Sequence, residues 1–387
     1  MKKETVRITS ALTAALLLLG TGCANNAPAA TTTTTAAATT TTAAAETTTT
    51  EDTEAAVTEA KGEPEASDTA EVNSVDADTG EVEEEVLEIG YDAPDTVRVA
   101  ALKGPTAMGM IKLMDDSDND DESIYDFEIF AAPDELTPLV IKGDIDIACI
   151  PANLASVLYN KTEGAVEVLA VNTLGVLYIV ENGGETVNSV EDLKGKTLYA
   201  SGQGSTPEYA LNYILSQNGI ADEVNIEWKT EHAECLTALT ENPGSVALLP
   251  QPFVTTAMIK NEGIRVALDL NAEWDKLDNG SSLITGVVVG RKEFIESYPA
   301  VINEFLAGYD ASVGYVNSDT DGAAALIGKY DIVPEAVAKK ALPACNIVFI
   351  DGTEMKEKLS GYLQVLFDSD PKSVGGKTPA EDFYFIG

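Results

Sequence analysis

One arrangement of apolar and polar positions occurs twice in this chain: an apolar strand, a turn rich in Gly, Pro and Thr, and an amphipathic helix. The first copy is VRVAALKGPTAMGMIKLM, from Val97 to Met114, and the second is TLYASGQGSTPEYALNYIL, from Thr197 to Leu215. Such a turn directs the free N–H groups of a helix N-terminus past the carboxyl end of the strand, where a ligand can be held. Two copies therefore predict two α/β lobes that share a cleft.

The surrounding pattern extends each lobe with alternating strands and helices, which is typical of βαβ units and a mainly parallel sheet flanked by helices. Two strands between the lobes, Val166 to Val171 and Val176 to Val180, are predicted to lead out of the first lobe. In the first lobe we predict strands at Val97 to Leu102, Phe127 to Ala131 and Ile145 to Ile150, with helices at Ala107 to Met114, Glu135 to Lys142 and Asn153 to Tyr159. In the second lobe we predict strands at Thr197 to Ser201, Val224 to Trp228 and Ser245 to Leu249, with helices at Pro207 to Gln217 and Ala233 to Glu241.

The last part of the chain is predicted to pack back on the first lobe. Its elements are a strand from Leu283 to Val289 and helices at Ala300 to Val316, Gly322 to Lys329, Pro334 to Ala341 and Met355 to Phe367. The predicted domains are thus a discontinuous first lobe, 96–182 and 276–387, and a second lobe, 183–275.

Residues 1–23 have the pattern of a lipoprotein signal peptide. Basic residues precede a short apolar run from Ile8 to Gly20, which is too short for a lasting membrane span. The small residues before Cys23 resemble a bacterial lipobox, in which the cysteine is lipidated, although Gly20 stands where leucine is usual. The alternative is an ordinary secreted protein that is cleaved nearby.

Residues 24–95 are predicted to form a disordered stalk. This Thr/Ala-rich, acidic segment has too few large apolar side chains to offset the entropy of folding.

Composition and charge narrow the possible functions. The net charge of −40 argues against nucleic-acid binding, because such a surface repels phosphates. Beside Cys23, three cysteines remain; Cys149 lies in an apolar strand and is expected to be a buried thiol, although one pair could still form a disulfide. The single histidine, His232, begins a polar helix, so we expect no catalytic or metal-binding role for it, and we expect no cofactor.

Four segments in this order resemble the solute-binding proteins of ABC importers, in particular the nitrate/sulfonate/taurine type. They are SVEDLKGKT from Ser189 to Thr197, the turn from Gly202 to Thr206, ALLPQPF from Ala247 to Phe253, and the helices from Tyr298 to Tyr315. The resemblance covers about residues 96–370. It implies the type II periplasmic-binding-protein fold, with two crossing strands as the hinge, a small-molecule ligand between the lobes, and delivery to ABC permease and ATPase subunits.

The candidate ligand-binding residues come from the turns that follow the strands. Glycines allow close backbone approach, hydroxyls and amides orient a ligand, and a lysine can pair with an anion. Each could instead be a helix cap, a turn residue or a surface side chain. The candidates are Lys103, Gly104, Pro105, Thr106 and Asn153 in the first lobe and Gly204, Ser205, Thr206 and Gln251 in the second.

The sequence therefore predicts a monomeric, lipid-anchored receptor on the extracytoplasmic face of a bacterial membrane. It would capture a small polar or anionic organic solute without chemistry. The resemblance also implies that amino acids are less favoured as ligands, because neither lobe motif contains the arginine that amino-acid receptors of this fold commonly use for a carboxylate. An enzyme on the same fold and a surface or sensor lipoprotein without a transport role remain alternatives.

Overall fold

The structure is a computed structural model that describes residues 93–387. The predicted signal peptide, the lipidation site Cys23 and residues 24–92 of the predicted stalk lie outside the described residues. The described part contains eleven strands in two sheets. In chain order they are β1 (Val97–Leu102), β2 (Tyr125–Phe130), β3 (Ile147–Pro151), β4 (Val166–Leu174), β5 (Leu177–Asn182), β6 (Thr197–Ser201), β7 (Asn225–Lys229), β8 (Val246–Pro250), β9 (Ile264–Asp269), β10 (Ile284–Arg291) and β11 (Ile347–Asp351).

Helices flank both sheets. None of those among residues 93–387 combines the length and the apolar character that a membrane span requires. They are α1 (Pro105–Met108), α2 (Ile111–Asp118), α3 (Pro133–Lys142), α4 (Ala152–Lys161), α5 (Thr206–Gln217), α6 (His232–Glu241), α7 (Phe253–Lys260), α8 (Leu270–Asp275), α9 (Lys292–Ser297), α10 (Pro299–Ser318), α11 (Thr320–Lys329), α12 (Glu335–Ala341) and α13 (Gly352–Ser369).

Most predicted elements occur within a few residues of their predicted bounds, and three differences have clear causes. The first predicted helix is divided into α1 and α2 at Gly109, where a Cβ atom would lie 2.8 Å from the hydroxyl of Tyr309. The strands β9 and β11 were not predicted, because each is a short edge strand without a clear alternation of polar and apolar residues. The helices α7 and α8 were missed because they follow directly on a proline turn and on β9.

The two-lobed α/β class is confirmed, and each sheet is mixed. The first sheet has the order β11-β4-β10-β3-β1-β2, with β1 parallel to β2 and β3, and β10 antiparallel to both its neighbours. The second has the order β7-β6-β8-β5-β9, with β6 parallel to β7 and β8, and β5 antiparallel to β8 and β9. Two of the reversed strands arrive from the other lobe: β5 and β10 begin at the edge where β8 and β3 end. The edge strand β11 is also antiparallel to its neighbour β4.

The chain crosses between the lobes at Gly175, which separates β4 from β5. A Cβ atom there would lie 2.8 Å from Cβ of Asn271 and 2.9 Å from a methyl group of Leu283, so only glycine fits without movement. The backbone N–H of Gly175 donates to the side-chain oxygen of Asn271 at 3.2 Å, and its carbonyl accepts from Asn346. These contacts hold the crossing in one position relative to both lobes.

The three cysteines at 149, 235 and 345 are buried and free, so none of them forms a disulfide with another. Burial raises the pKa of Cys149 and of Cys345 to about 12. Both thiols are therefore protonated and unreactive at neutral pH, as the apolar strand around Cys149 predicts.

Candidate functional site

A cavity of about 330 Å³ lies between the two lobes, at the edge where strands of both sheets end. Because the carboxyl ends of β3, β6 and β8 meet there, the turns that follow them form its walls. The described residues that line it are mostly apolar. They are Pro133, Pro151, Asn153, Leu154, Val176, Leu177, Gly204, Ser205, Thr206, Pro207, His232, Pro250 and Thr285.

Four helices begin at this cavity, two from each lobe. They are α3 and α4 in the first lobe and α5 and α6 in the second, and a residue of the first turn of each lines the cavity. Each helix N-terminus contributes partial positive charge from its unpaired N–H groups. None of the described lining residues is Asp, Glu, Lys or Arg. The cavity therefore favours electron-rich groups through helix ends and neutral polar side chains, without an ion pair.

One hydrogen bond crosses the cavity and joins the lobes. Thr206, the first residue of α5, donates from Oγ1 to Oδ1 of Asn153 on α4 at 3.1 Å. Both side chains are buried, and Nδ2 of Asn153 donates to the carbonyl of Ser373 at 3.4 Å. Two predicted site residues from opposite lobes are thus brought into direct contact, in the arrangement expected of a closed cleft.

The other two predicted residues that line the cavity, Gly204 and Ser205, shape the turn before α5. Oγ of Ser205 donates to the carbonyl of Gly202 at 2.6 Å, and the N–H of Gly204 donates to the carboxylate of Glu208 at 2.6 Å. Gly204 has a φ of +77°, a conformation that strains any residue with a Cβ atom. Their contact with a ligand stays a prediction.

The loop from Lys103 to Thr106 is not part of the cavity lining among the described residues. The ammonium group of Lys103 lies 3.2 Å from the carboxylate of Asp331 on the surface, and Thr106 donates from its hydroxyl to the carbonyl of Leu102 at 2.8 Å. Gly104 and Pro105 form the turn between β1 and α1. The predicted ligand contacts of these four residues stay untested.

Gln251 follows β8 but turns away from the cavity. Its side chain is buried, and Oε1 accepts from both the backbone N–H and the hydroxyl of Thr255, the latter at 2.9 Å. The carboxamide therefore accepts hydrogen bonds from the first turn of α7. The neighbouring Pro250 lines the cavity instead. A ligand contact by Gln251 stays a prediction that would need this side chain to turn.

Sequence reasoning missed several cavity residues, of which His232 and Pro133 are the most informative. Both lie at the first residue of a helix that follows a strand, the same order of elements that led to Thr206. In the sequence, Glu231 and Glu234 indicate a polar helix start at His232, which predicts no catalytic or metal-binding role for it. The signal that could have found both residues is their position after β2 and β7.

Solved structures of two-lobed proteins resemble this one. A crystal structure of an ABC transporter from Parabacteroides distasonis is 23% identical, covering 75% of this chain and 99% of that chain, with a TM-score of 0.65. The periplasmic aliphatic sulphonate binding protein SsuA from Escherichia coli is 17% identical, covering 76% and 92%, with a TM-score of 0.62. The alkanesulfonate-binding protein SsuA from Xanthomonas axonopodis pv. citri, bound to MOPS, is 13% identical, covering 76% and 97%, with a TM-score of 0.56.

At these identities the likeness concerns the fold. Two α/β lobes with a cavity at their meeting edge define the class, a protein with the type II periplasmic-binding-protein fold. The family model described as NMT1/THI5 like matches residues 126–323, just over half of the chain. The chain belongs to the NMT1/THI5-like family. No curated protein sequence matches it.

Proposed function

We propose that this protein is an extracytoplasmic solute-binding lipoprotein that captures a small polar or anionic organic solute and delivers it to an ABC importer. In this proposal Cys23 carries the lipid anchor, residues 24–95 form a stalk, and the two lobes hold the solute without chemistry. The observation that carries the proposal is the cavity between the lobes, where four helices from both lobes begin.

A solute in this position contacts both lobes only when they are closed. Its binding energy therefore shifts an equilibrium between open and closed forms, and a permease can recognise the closed form. The hydrogen bond between Thr206 and Asn153 is a contact that only the closed form can make.

The walls of the cavity narrow the class of solute. Leu154, Val176 and Leu177 offer apolar surface, whereas the helix N-termini favour an electron-rich group. An organic anion with an apolar body fits both features. The two SsuA proteins bind aliphatic sulphonates and alkanesulfonates, and we extend this chemistry to the present chain as part of the proposal.

We expect an organic anion to raise the melting temperature of the purified protein. The screen would contain aliphatic sulfonates, carboxylates, nucleobase-like heterocycles and vitamins. A solute at a hundred times its Kd adds about 2.7 kcal/mol to the free energy of unfolding when it binds only the native state. Titration calorimetry would confirm each hit. A screen without any stabilising compound would contradict the proposal, and sustained turnover of a hit would favour the enzyme alternative.

Thr206→Val should weaken binding of the compound found in this screen by about twofold to tenfold, the range expected for one neutral hydrogen bond of about 0.5–1.5 kcal/mol. Valine keeps the shape of threonine but removes the bond to Asn153 that the closed form makes. The measurement is the Kd by calorimetry. Ser216→Ala, an exposed serine on the same helix, is the matched control and should bind like the wild type. Equal affinities of the two variants would contradict this placement of the site.

A further inference from the structure

His232 is the only histidine of the chain, and it lines the cavity as the first residue of α6. Phe253 packs against its ring with 5.4 Å between the ring centroids. Nδ1 lies 2.5 Å from Oγ of Ser201, a side chain that is 2% exposed at the end of β6. A buried hydroxyl at Nδ1 and a tilted contact with the Phe253 ring therefore orient the imidazole.

The other polar side chains of the cavity each donate a hydrogen bond to the protein. The hydroxyls of Ser205, Thr206 and Thr285 donate to Gly202, Asn153 and Leu174 respectively, and the amide of Asn153 donates to Ser373. In the part of the chain that the structure describes, no hydrogen bond reaches Nε2 of His232. This nitrogen is thus a polar ring atom of the described lining that is left for a guest.

The partners of Ser201 determine which nitrogen of the ring carries the proton. Ser201 also lies within hydrogen-bonding reach of the buried thiol of Cys235. Because nitrogen is a much better acceptor than sulfur, we assign the hydroxyl as the donor to Nδ1 of His232 and as the acceptor from the thiol. With this assignment the neutral ring carries its proton on Nε2. Burial lowers the pKa of His232, which keeps the ring neutral at pH 7, although the nearby Glu231 acts in the opposite direction.

We propose that Nε2–H of His232 is the donor that binds the acidic group of the solute. It selects aliphatic sulfonates and carboxylates over cations that have an apolar body of the same size. This inference rests on the proposed function, because it places an organic anion in the cavity between the lobes. Ser201 is a positioning residue that fixes the tautomer and the ring direction.

The test uses butane-1-sulfonate and butanoate as probes and butyltrimethylammonium as the control, which has a similar apolar body and no acceptor. A single histidine gives one pair of imidazole nitrogen signals in the ¹⁵N NMR spectrum. We expect these signals to show the Nε2–H tautomer in the free protein. Addition of either anion should shift the Nε2 signal, and addition of the cation should leave it unchanged.

Two variants separate a binding role from a structural one. His232→Phe removes both ring nitrogens and should weaken anion binding by about tenfold to a hundredfold, the range for a hydrogen bond to a charged group. His232→Gln retains an amide donor near the position of Nε2 and should recover part of this loss. Circular dichroism and the melting temperature of both free variants would show that they fold.

The possible results distinguish this inference from the proposed function. Anion binding with an unshifted Nε2 signal, or with equal affinity in His232→Phe, would overturn the role of His232 and leave the proposed function standing. An Nδ1–H tautomer in the free protein would overturn it as well. If neither anion binds but another compound of the screen does, the selectivity for sulfonates and carboxylates is wrong. If no compound binds, the proposed function fails and this inference fails with it.

Discussion

Leu154→Trp should lower the affinity for the organic anion found by the screen at least a hundredfold. Leu154 lines the cavity from α4, and its side chain is only half-buried, so a larger ring can be accommodated without disturbing the core of the first lobe. The indole would occupy much of a space of about 330 Å³ and would hold the lobes apart. Overpacking of this kind costs about 1–3 kcal/mol even where a site can adjust, and the loss of the cavity adds to it.

The measurement is the Kd by titration calorimetry, with melting temperature as the check on folding. Lys161→Trp is the matched control, because Lys161 is exposed at the far end of the same helix and does not line the cavity. Leu154→Met conserves volume and should bind nearly as well as the wild type. A Leu154→Trp variant that keeps its affinity within threefold would show that the solute binds elsewhere.

The second large effect concerns stability, and we expect Trp274→Ala to lower the free energy of unfolding by about 3–5 kcal/mol. Trp274 on α8 is fully buried. The centroid of its ring lies 4.7 Å from the ring centroid of Tyr213 on α5 and 5.7 Å from that of Tyr362 on α13. Its Nε1–H donates to the hydroxyl of Ser281 at 3.1 Å. The ring therefore joins a helix of the second lobe to the last long helix, and its removal leaves a cavity between them.

Urea unfolding followed by circular dichroism measures this loss. The matched control is Trp228→Ala, since Trp228 is the other tryptophan of the chain and is only half-buried on β7. Trp274→Phe keeps much of the apolar volume and should cost less than the alanine variant. A loss in Trp274→Ala no larger than that in Trp228→Ala would contradict a structural role for the aromatic contacts between α5, α8 and α13.

The candidate site shows where sequence reasoning succeeds and where it stops. It predicted that turns after strands would form a shared cleft, and Asn153 and Thr206 do lie at such turns, 3.1 Å apart. The same reasoning selected Lys103 and Gln251, whose side chains have partners elsewhere. Lys103 pairs with Asp331, which is 228 positions away in the sequence. A turn is a local feature, whereas the direction of its side chain depends on distant neighbours.

By itself, the sequence determined the alternation of strands and helices, the class of two α/β lobes and the family, because hydrophobic periodicity and turn residues act over a few positions. Only the tertiary structure decided which helix starts converge on the cavity, which strands run antiparallel, and that His232 lies at the cavity beside Ser201. These features arise from contacts between segments tens to hundreds of residues apart. Such contacts depend on how the whole chain packs, and no short stretch of sequence encodes them.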